Sequence, residues 1–363
     1  MTRVVVALDS FKGSITAADA AAALAAGWRA ALAGVEIALR PMADGGEGTV
    51  AAFAAAVAGA ERVPVTVRGP AGRMVDASWL RLPAGTGVVE LASTSGIELL
   101  GDERRPWDAD TLGFGQAVLA ALDAGVPRLV LGIGSSASTD GGAGFLTALG
   151  ARLLDESGAS VAPGARGLAE VASVDVADLR PLPAGGVVVL SDVTNPLLGA
   201  DGAAAVFGPQ KGLDADGVAR AESGLARLAA LVDVDPATPG AGAAGGTGFA
   251  LRLWGAELRP GAAEVADLIG LRDAVHDADL VVTGEGAYDG QSAAGKVPSF
   301  VARLAAAAGI PVALVAGRIA PDADTAAFAA SVSLTDLAGS AEASLADPAR
   351  WLHAAGAALA ARF

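Results

Sequence analysis

Several residue types are absent or nearly absent from this chain of 363 residues. There is no cysteine, which excludes disulfides, a thiol nucleophile and cysteine-ligated zinc or iron–sulfur sites. The only two histidines, His276 and His353, are far apart in sequence, which argues against a histidine-based metal site and a serine–histidine–aspartate triad. Chemistry in this chain therefore has to come mainly from carboxylates, lysines, hydroxyls and backbone groups.

Positive charge and long apolar runs are also scarce. The formal net charge is −15 and the pI is about 4.5, so the surface should repel nucleic acid and anionic membranes, and we expect neither as a partner. An anionic ligand would need a locally positive pocket. No charge-free apolar run reaches the length of about 18 residues that a membrane span needs, and the run at 4–8 is too short for a signal peptide. We expect a cytoplasmic protein.

Alternating strand and helix patterns at both ends of the chain predict a parallel sheet covered by helices. The predicted strands and helices of these two ends are 4–8, 16–33, 36–40, 280–283, 297–308 and 311–315. From residue 61 the pattern changes to short β-rich pieces separated by Gly and Pro turns. The sequence predicts a Rossmann-like, three-layer parallel α/β domain formed by 1–60 and 270–363. A mixed α/β domain, 61–269, is inserted into it, and we expect the active site in the cleft between the two domains.

Lysine and asparagine are unusually rare. The only lysines are Lys12, Lys211 and Lys296, and the only asparagine is Asn195, while arginine is common. This composition indicates a coding bias that keeps lysine and asparagine only where their chemistry is needed. Each lysine lies in a glycine-containing loop, and a compact ammonium beside flexible backbone is a common way to hold phosphate.

Polar side chains follow the first two predicted strands. Ser10 and Lys12 come directly after the first strand, and Asp44 and Glu47 lie among three glycines after the second. Ligands of open α/β sheets bind beyond the carboxyl ends of strands, and two carboxylates in a glycine turn suit Mg²⁺ or a substrate hydroxyl. Helix capping is the alternative, and it explains the hydroxyls and carboxylates but not Lys12.

A third loop, 132–142, is rich in glycine and hydroxyls and lies between a predicted strand and a predicted helix. Its backbone N–H groups and the start of the helix could hold a phosphate, and the residues we predict to do so are Gly132, Gly134, Ser135 and Ser136. The segment also fits the pattern G-x-G-x-x-A, with Asp155 at the spacing of a ribose ligand, so a nicotinamide-dependent dehydrogenase stays an alternative. The chain has no G-x-x-x-x-G-K-[S/T] motif and is therefore not a P-loop kinase.

Two later loops add carboxylates. Asp192 follows the predicted strand 187–190, a position that suits a general base or a metal ligand, and Asn195 comes three residues later. Glu285 and Asp289 lie close in sequence to Lys296, and acidic groups near a lysine in a glycine-rich loop suit a magnesium–phosphate site.

Taken in order, these motifs resemble the class I glycerate kinases. The segments that carry the resemblance are DSFKGS (9–14), ADGGEGT (43–49), DVTNPL (192–197), FGPQKG (207–212), GAGAAGG (240–246) and TGEG (283–286). They span nearly the whole chain, and several motifs in one order are more specific than any single one. The resemblance implies transfer of the ATP γ-phosphate to a hydroxyl of D-glycerate or a similar hydroxy acid, often giving 2-phosphoglycerate, with Mg²⁺ as a cofactor. It is compatible with a homodimer.

The resemblance and the loop positions together assign roles to individual residues. The catalytic residues are expected to be Asp192, Lys12 and Asp44, and the substrate-binding residues Ser10, Lys12, Glu47 and Asn195. ATP is expected to contact Gly132, Gly134, Ser135, Ser136, Lys211, Glu285 and Lys296. The expected ligands of Mg²⁺ are Asp192 and Asp289.

The chain departs from the family pattern at two positions. Many members carry arginine after Gly-Glu-Gly, where this chain has Ala287, and asparagine where Thr139 stands. Because a positive charge beside the phosphates is missing, a metabolite-binding relative without turnover stays a second alternative. Arg318, directly after Ala316-Gly317, is the residue we expect to replace the missing charge.

Overall fold

The computed structural model describes residues 2–289 and 297–363. Its strands are β1 Arg3–Leu8, β2 Glu36–Leu39, β3 Glu61–Arg68, β4 Met74–Arg81, β5 Gly87–Glu90, β6 Leu129–Gly132, β7 Arg152–Leu154, β8 Ser173–Asp175, β9 Val187–Leu190, β10 Glu257–Arg259, β11 Leu280–Tyr288, β12 Val312–Ile319 and β13 Ala330–Ser333. Its α-helices are α1 Ala17–Ala31, α2 Thr49–Ala56, α3 Ala92–Ser95, α4 Leu112–Asp123, α5 Ala143–Ala148, α6 Ala165–Leu168, α7 Ala203–Phe207, α8 Ala215–Ala229, α9 Ala243–Trp254, α10 Gly261–Leu268, α11 Leu271–His276, α12 Val297–Ala308, α13 Leu334–Ala338, α14 Ala341–Ala346 and α15 Pro348–Ala360.

The chain divides into two compact units. The first consists of Met1–Asp44, Ala51–Ala58 and Gly261–Phe363. The second consists of Gly45–Val50 and Gly59–Pro260. Both ends of the chain thus belong to the first unit, and the long central segment forms the second.

The first unit contains a sheet of five strands in the order β13-β12-β11-β1-β2, with every neighbouring pair parallel. Strand β1, which lies between β11 and β2, is a continuous apolar run because both of its faces are covered, and Val4 to Leu8 are all fully buried. The predicted parallel α/β sheet is therefore confirmed. Toward their carboxyl ends, β11 extends five residues and β12 four residues further than the sequence pattern predicted.

Two helices of the first unit pack together unusually closely. A Cβ atom on Gly27 of α1 would lie 1.8 Å from the carbonyl oxygen of His353 in α15, and one on Gly356 would lie 2.0 Å from that of Leu24. Because neither site has room for a methyl group, glycine at both positions allows the two backbones to approach. Leu24, Trp28 and Leu352 are buried in the core cluster beside this crossing.

The second unit contains a mixed sheet of six strands in the order β10-β9-β6-β5-β4-β3. Strands β3, β4 and β5 pair antiparallel, whereas β5, β6, β9 and β10 are parallel. The core of this unit includes Phe145, which lies 5.5 Å from both Phe114 and Trp254 between ring centroids. Strands β7 and β8 form a separate antiparallel pair.

Helices in the described residues are short. The longest, α1 and α8, have 15 residues each, fewer than the roughly 20 that a membrane-spanning helix needs. None of the described helices has both the length and the apolar character required to cross a bilayer.

Candidate active site

A group of charged side chains lies at the carboxyl ends of the strands in the first unit. Asp9 is the first residue after β1, and the neighbours that act on its charge are Asp44, Glu285 and Lys12. Burial raises the pKa of Asp9 well above its ordinary value, and the negative charges of Asp44 and Glu285 raise it further. The Ser10 N–H, 2.7 Å from the Asp9 carboxylate, and the charge of Lys12 act in the opposite direction. Three carboxylates near one ammonium thus create a locally crowded negative centre.

The backbone around this centre is fixed by the sheet and by close glycine contacts. The Asp9 N–H donates to the carbonyl of Gly284 on β11 at 2.8 Å, which continues the ladder between β1 and β11. A Cβ on Gly261, the first residue of α10, would lie 2.1 Å from the carbonyl oxygen of Asp44, so this glycine lets α10 begin directly against that residue. Gly286 likewise leaves room for the backbone of the turn that carries Lys12.

The predicted residue Lys12 lies in a tight turn closed by Phe11 and Ile15, and the predicted residue Ser10 directly precedes this turn. The Phe11 N–H donates to the Ile15 carbonyl at 3.0 Å, and Gly13 between them has a φ of 70°. Lys12 is exposed and Ser10 half-buried, so the turn presents both polar side chains while Phe11 is anchored in the core.

Glu285 and Asp289 belong to β11 and the residue after it. Glu285 is buried, whereas Asp289 is half-buried. On the same strand Ala287 is in register with Arg318 of the parallel neighbour β12. Since registered residues of adjacent strands point to the same face, Arg318 projects beside Ala287. Lys296 lies outside the described residues.

In the second unit, the start of the loop between β6 and α5 lies directly against the backbone of residues 45–46. The Gly134 N–H donates to the Gly45 carbonyl at 2.9 Å, and a Cβ on Gly134 would lie 2.5 Å from the Cα of Gly46. Gly132 has the same constraint, since its Cβ would lie 2.8 Å from the Gly45 carbonyl oxygen. Ser135 has a φ of 60°, a conformation that non-glycine residues seldom adopt and that clusters at functional sites.

The end of this loop is organised by Asp140, which is fully buried. Its carboxylate accepts hydrogen bonds from the Thr111 hydroxyl at 2.8 Å, the Ser138 hydroxyl at 2.9 Å, and the backbone N–H groups of Thr111, Gly142 and Gly144. Because all of these donors belong to the loop, to the start of α5 and to Thr111, the Asp140 carboxylate holds the loop in place, and we assign it a positioning role. The hydroxyl of the neighbouring Thr139 is buried and has no hydrogen-bond partner within the described part of the chain.

Lys211 reaches the same loop from the interior. It is 2% exposed, and its ammonium donates to the Ser136 hydroxyl at 2.7 Å and to the Ser138 carbonyl. Burial lowers the pKa of Lys211 to about 7, and the negative charge of Asp140 limits that fall. The structure therefore joins two of the predicted nucleotide residues, Ser136 and Lys211, and gives Lys211 the contacts of a residue that shapes the loop.

The glycine-rich segment before and within α9 closes over this lysine. Ala244, Gly245 and Gly246 have φ values of 54°, 69° and 91°, so the chain makes three left-handed steps in succession. A Cβ on Gly245 would lie 2.0 Å from the Ser138 carbonyl oxygen and 2.7 Å from the Lys211 Nζ. Only glycine fits at position 245, because any side chain would displace the lysine or the loop.

The predicted base Asp192 lies two residues beyond β9 and is exposed. Asn195 is half-buried, and its side-chain N–H donates to the Asp201 carbonyl at 2.8 Å, which ties the loop after β9 to the turn before α7. Glu47 is exposed and belongs to the short piece of the second unit that starts at Gly45.

Sequence reasoning missed Asp9, Asp140 and Glu90. Asp9 could have been found, since it is the first charged residue after a buried strand. Glu90 is the last residue of β5, where its carboxylate accepts the Val50 N–H at 2.9 Å and burial raises its pKa. In the sequence, Asp140 is marked only by its position in a glycine-rich loop. Its role depends on contacts with Thr111, 29 residues away, which the sequence pattern does not reveal.

The dehydrogenase alternative does not agree with the fold. A dinucleotide-binding unit requires the strand after α5 to join the same parallel sheet as β6, but β7 pairs antiparallel with β8 in a separate two-stranded sheet. Asp155 is half-buried, and its carboxylate accepts the N–H groups of Ser157 and Ala159 and the Ser157 hydroxyl. It stabilises a turn and does not stand at the ribose position of such a unit.

Comparison with known proteins gives one consistent family. A model of the glycerate kinase family matches residues 4–363. The glycerate kinase of Bacillus subtilis (strain 168) is 42% identical over 329 residues, which cover 88% of this chain and 86% of that protein. The glycerate 2-kinase of Escherichia coli (strain K12) is 41% identical over 330 residues, with the same coverage. A crystal structure of a protein provisionally assigned as glycerate kinase 2 from Salmonella typhimurium LT2 superposes with a TM-score of 0.85 at 38% identity, covering 99% of this chain and 98% of that one.

Proposed function

We propose that this chain, which belongs to the glycerate kinase family, transfers the γ-phosphoryl group of ATP to a hydroxyl of D-glycerate and gives 2-phosphoglycerate. ATP is the phosphoryl donor that membership of this kinase family implies. The observation that carries the proposal is that full-length relatives named for this activity align with nearly nine-tenths of the chain. The geometry of the two units supports it, since each has polar groups suited to one part of the reaction.

The loop between β6 and α5 suits the phosphates of ATP. In this proposal the backbone N–H groups around Gly134, Ser135 and Ser136 bind phosphate oxygens, while Lys211 and Asp140 hold the loop in shape from behind. Gly132 is needed because its neighbour Gly45 approaches too closely for a side chain. A rigid, preorganised set of donors stabilises charge that develops in transfer without reorganisation at the moment of reaction. The earlier assignments of Glu285 and Lys296 to the nucleotide remain predictions.

The turn after β1 suits the acceptor. Lys12 is exposed beside the carboxylates and would bind the carboxylate of glycerate, with the Ser10 hydroxyl as a further contact. Asp44 would orient the substrate hydroxyls, and Glu47 and Asn195 remain predicted contacts. Although Asp9, Asp44 and Glu285 make its surroundings negative, the Lys12 ammonium can pair directly with the carboxylate of an anionic acceptor.

Mg²⁺ fits the donor set in its chemistry. Carboxylates are the ligands it prefers, and it is usually held by one or two of them together with substrate phosphates. The described residues contain no group of three or more acidic or histidine side chains placed to hold a metal. We propose that Asp192 and Asp289 supply protein ligands. When bound, Mg²⁺ would neutralise charge on the phosphates.

The transfer itself needs one base. We propose that Asp192, exposed just beyond β9, accepts the proton of the glycerate hydroxyl as its oxygen bonds to the γ-phosphorus. The bond between the γ-phosphorus and the bridging oxygen breaks at the same time, and ADP leaves with that electron pair. The proton stays on Asp192 until it is released to solvent.

The proposal is tested by coupling ADP release to NADH oxidation with D-glycerate as acceptor. Phosphorus NMR of the product then identifies which hydroxyl carries the phosphate. Release of ADP that depends on D-glycerate, with a 2-phosphate product, supports the proposal. ATP binding without any glycerate-dependent turnover would instead favour the metabolite-binding alternative.

Asp192→Asn tests the base. We expect kcat to fall by roughly 10²–10⁴-fold while the affinity for ATP changes little, since a general base acts on the chemical step. Asp216→Asn is the matched control, because Asp216 is an exposed aspartate in the first turn of α8 of the same unit. An Asp192→Asn enzyme with the kcat of the control would remove Asp192 from the mechanism.

A further inference from the structure

A pocket of about 430 Å³ lies in the second unit, between α6, α8 and the loop that carries Trp107. Its α8 side consists of Arg220, Ser223, Gly224 and Arg227, whose spacing of three, four and seven residues places them on one face of the helix. An adjacent face of α8 is buried in the core of the unit through Ala221, Leu225 and Leu228. Arg220, Ser223 and Arg227 are exposed, and no residue of this stripe is among those assigned to phosphoryl transfer.

The shape of the pocket depends on a glycine and an aromatic ring. A Cβ on Gly224 would lie 2.9 Å from the Cβ of Leu168, so glycine lets α6 approach α8. The guanidinium carbon of Arg220 stacks 4.5 Å from the centroid of the Trp107 ring. Stacking fixes the plane of that guanidinium and leaves its N–H edges to point away from the ring.

The charge of the pocket is opposite to that of the chain. Arg166 pairs with Asp108 at 2.8 Å. Arg220 and Arg227, in contrast, make no ion pair with any carboxylate of the described residues, although the whole chain has 40 acidic residues and 25 basic ones. Arg227 is instead oriented by a hydrogen bond to the carbonyl of Ala169 at 3.0 Å. Two oriented and uncompensated guanidinium groups thus share one concavity.

We propose that this pocket binds a small organic phosphate. Guanidinium groups present paired N–H donors that match phosphate oxygens, so Arg220 and Arg227 would hold the phosphate and the Ser223 hydroxyl would donate a further hydrogen bond. The indole of Trp107 forms an apolar wall for the organic part. A volume of about 430 Å³ lies within the usual size of small-molecule sites, roughly 300–1,000 Å³.

The test is isothermal titration of the full-length protein with phenyl phosphate, in the presence of a saturating non-hydrolysable ATP analogue and D-glycerate. These ligands occupy the sites of the proposed reaction, so any heat released when phenyl phosphate is added comes from binding at another site. Arg220→Gln with Arg227→Gln is the test variant. Arg73→Gln with Arg152→Gln is its control, because both arginines are exposed, belong to the same unit and change the net charge equally. Benzoate is titrated in parallel as the carboxylate counterpart.

We expect the wild type to bind phenyl phosphate, the test variant to bind it at least roughly tenfold more weakly because two charge-assisted contacts are lost, and the control to match the wild type. Circular dichroism checks that the test variant is folded; if it is not, the two single substitutions replace it, and each is expected to weaken binding. The proposal is overturned if the wild type shows no binding up to about 10 mM, a concentration at which even a weak site is half filled. It is equally overturned if test and control variants bind alike, or if benzoate binds as tightly as phenyl phosphate.

Discussion

Replacing Lys211 by methionine isolates the effect of a buried ammonium. Methionine keeps a long unbranched chain, so the volume around Gly245 and Ser138 is nearly conserved, while the charge and both hydrogen bonds of the ammonium disappear. The Ser138 carbonyl would then lose a buried donor, which by itself destabilises by about 1–3 kcal/mol. The substitution also removes the charge, and with it the free-energy cost of burying that charge, which acts in the opposite direction.

The size of the desolvation effect follows from the pKa of Lys211, which burial lowers from 10.5 to about 7. A difference of that size corresponds to about 5 kcal/mol between the charged and neutral forms. The sign is set by proton binding. Below pH 7 Lys211 is protonated in both the folded and the unfolded chain, so the full desolvation cost of its charge lowers the free energy of unfolding. Between pH 7 and 10.5 only the unfolded chain keeps it, and rising pH then favours the folded state by about 1.4 kcal/mol per pH unit.

The assay is urea unfolding of the wild type, Lys211→Met and Lys12→Met at several pH values between about 6 and 9, followed by tryptophan fluorescence. The free energy of unfolding of the wild type, relative to Lys211→Met, should rise by about 2–3 kcal/mol across this range. Lys12 is exposed, so Lys12→Met serves as the control and should follow the pH dependence of the wild type. A difference between wild type and Lys211→Met that stays constant with pH would refute this prediction, because it would mean that the Lys211 ammonium keeps its proton in the folded chain across the whole range.

Three further predictions concern other parts of the chain. Burial and the charge of Asp140 raise the pKa of Asp110 to about 6. Between pH 4 and 6 the folded chain therefore keeps a proton that the unfolded chain releases, so the free energy of unfolding should fall as the pH rises. Asp110→Asn should remove about 2–3 kcal/mol of this fall in urea titrations, and a variant with the pH profile of the wild type would contradict the prediction. Arg318→Ala should raise the KM for ATP by about tenfold, and adding Ala287→Arg on the adjacent strand should restore the KM. An Arg318→Ala enzyme with the KM of the wild type would show that Arg318 does not replace the missing charge. Gly27→Ala should lower the thermal midpoint because its methyl group overlaps the α15 backbone, at a cost of about 1–3 kcal/mol, and an unchanged midpoint in calorimetry would show that the two helices can separate freely.

The sequence pattern was sufficient for the parts of the fold that depend on local periodicity. The strand at 187–190 and the helix at 297–308 were predicted with their observed bounds, because each is a buried apolar run or a regular amphipathic segment. Strand β11 was predicted too short. Its last residues include Gly284 and Gly286, which resemble a loop in sequence but are required where the neighbouring backbones approach.

The candidate site could be predicted only to the level of loops. Position after a strand was enough to single out the turns that carry Lys12 and Asp192. It could not reveal that the Lys211 ammonium lies against Ser136 and Ser138, because those contacts join segments more than 70 residues apart. Nor could it reveal that Asp9 lies in the field of Glu285, since their proximity results from the pairing of β1 with β11.

Lysine is rare in this chain, and the structure gives a physical reason why position 211 carries one. Position 211 is enclosed, and its Nζ lies so close to Gly245 that even one added carbon there would overlap it. An arginine would bring a larger, planar group with five donors into a place that offers one hydroxyl and one carbonyl. It also could not release its charge, since the guanidinium stays protonated in proteins. A composition that prefers arginine almost everywhere therefore has to keep lysine at this point, where the side chain must be small enough to fit and able to lose a proton.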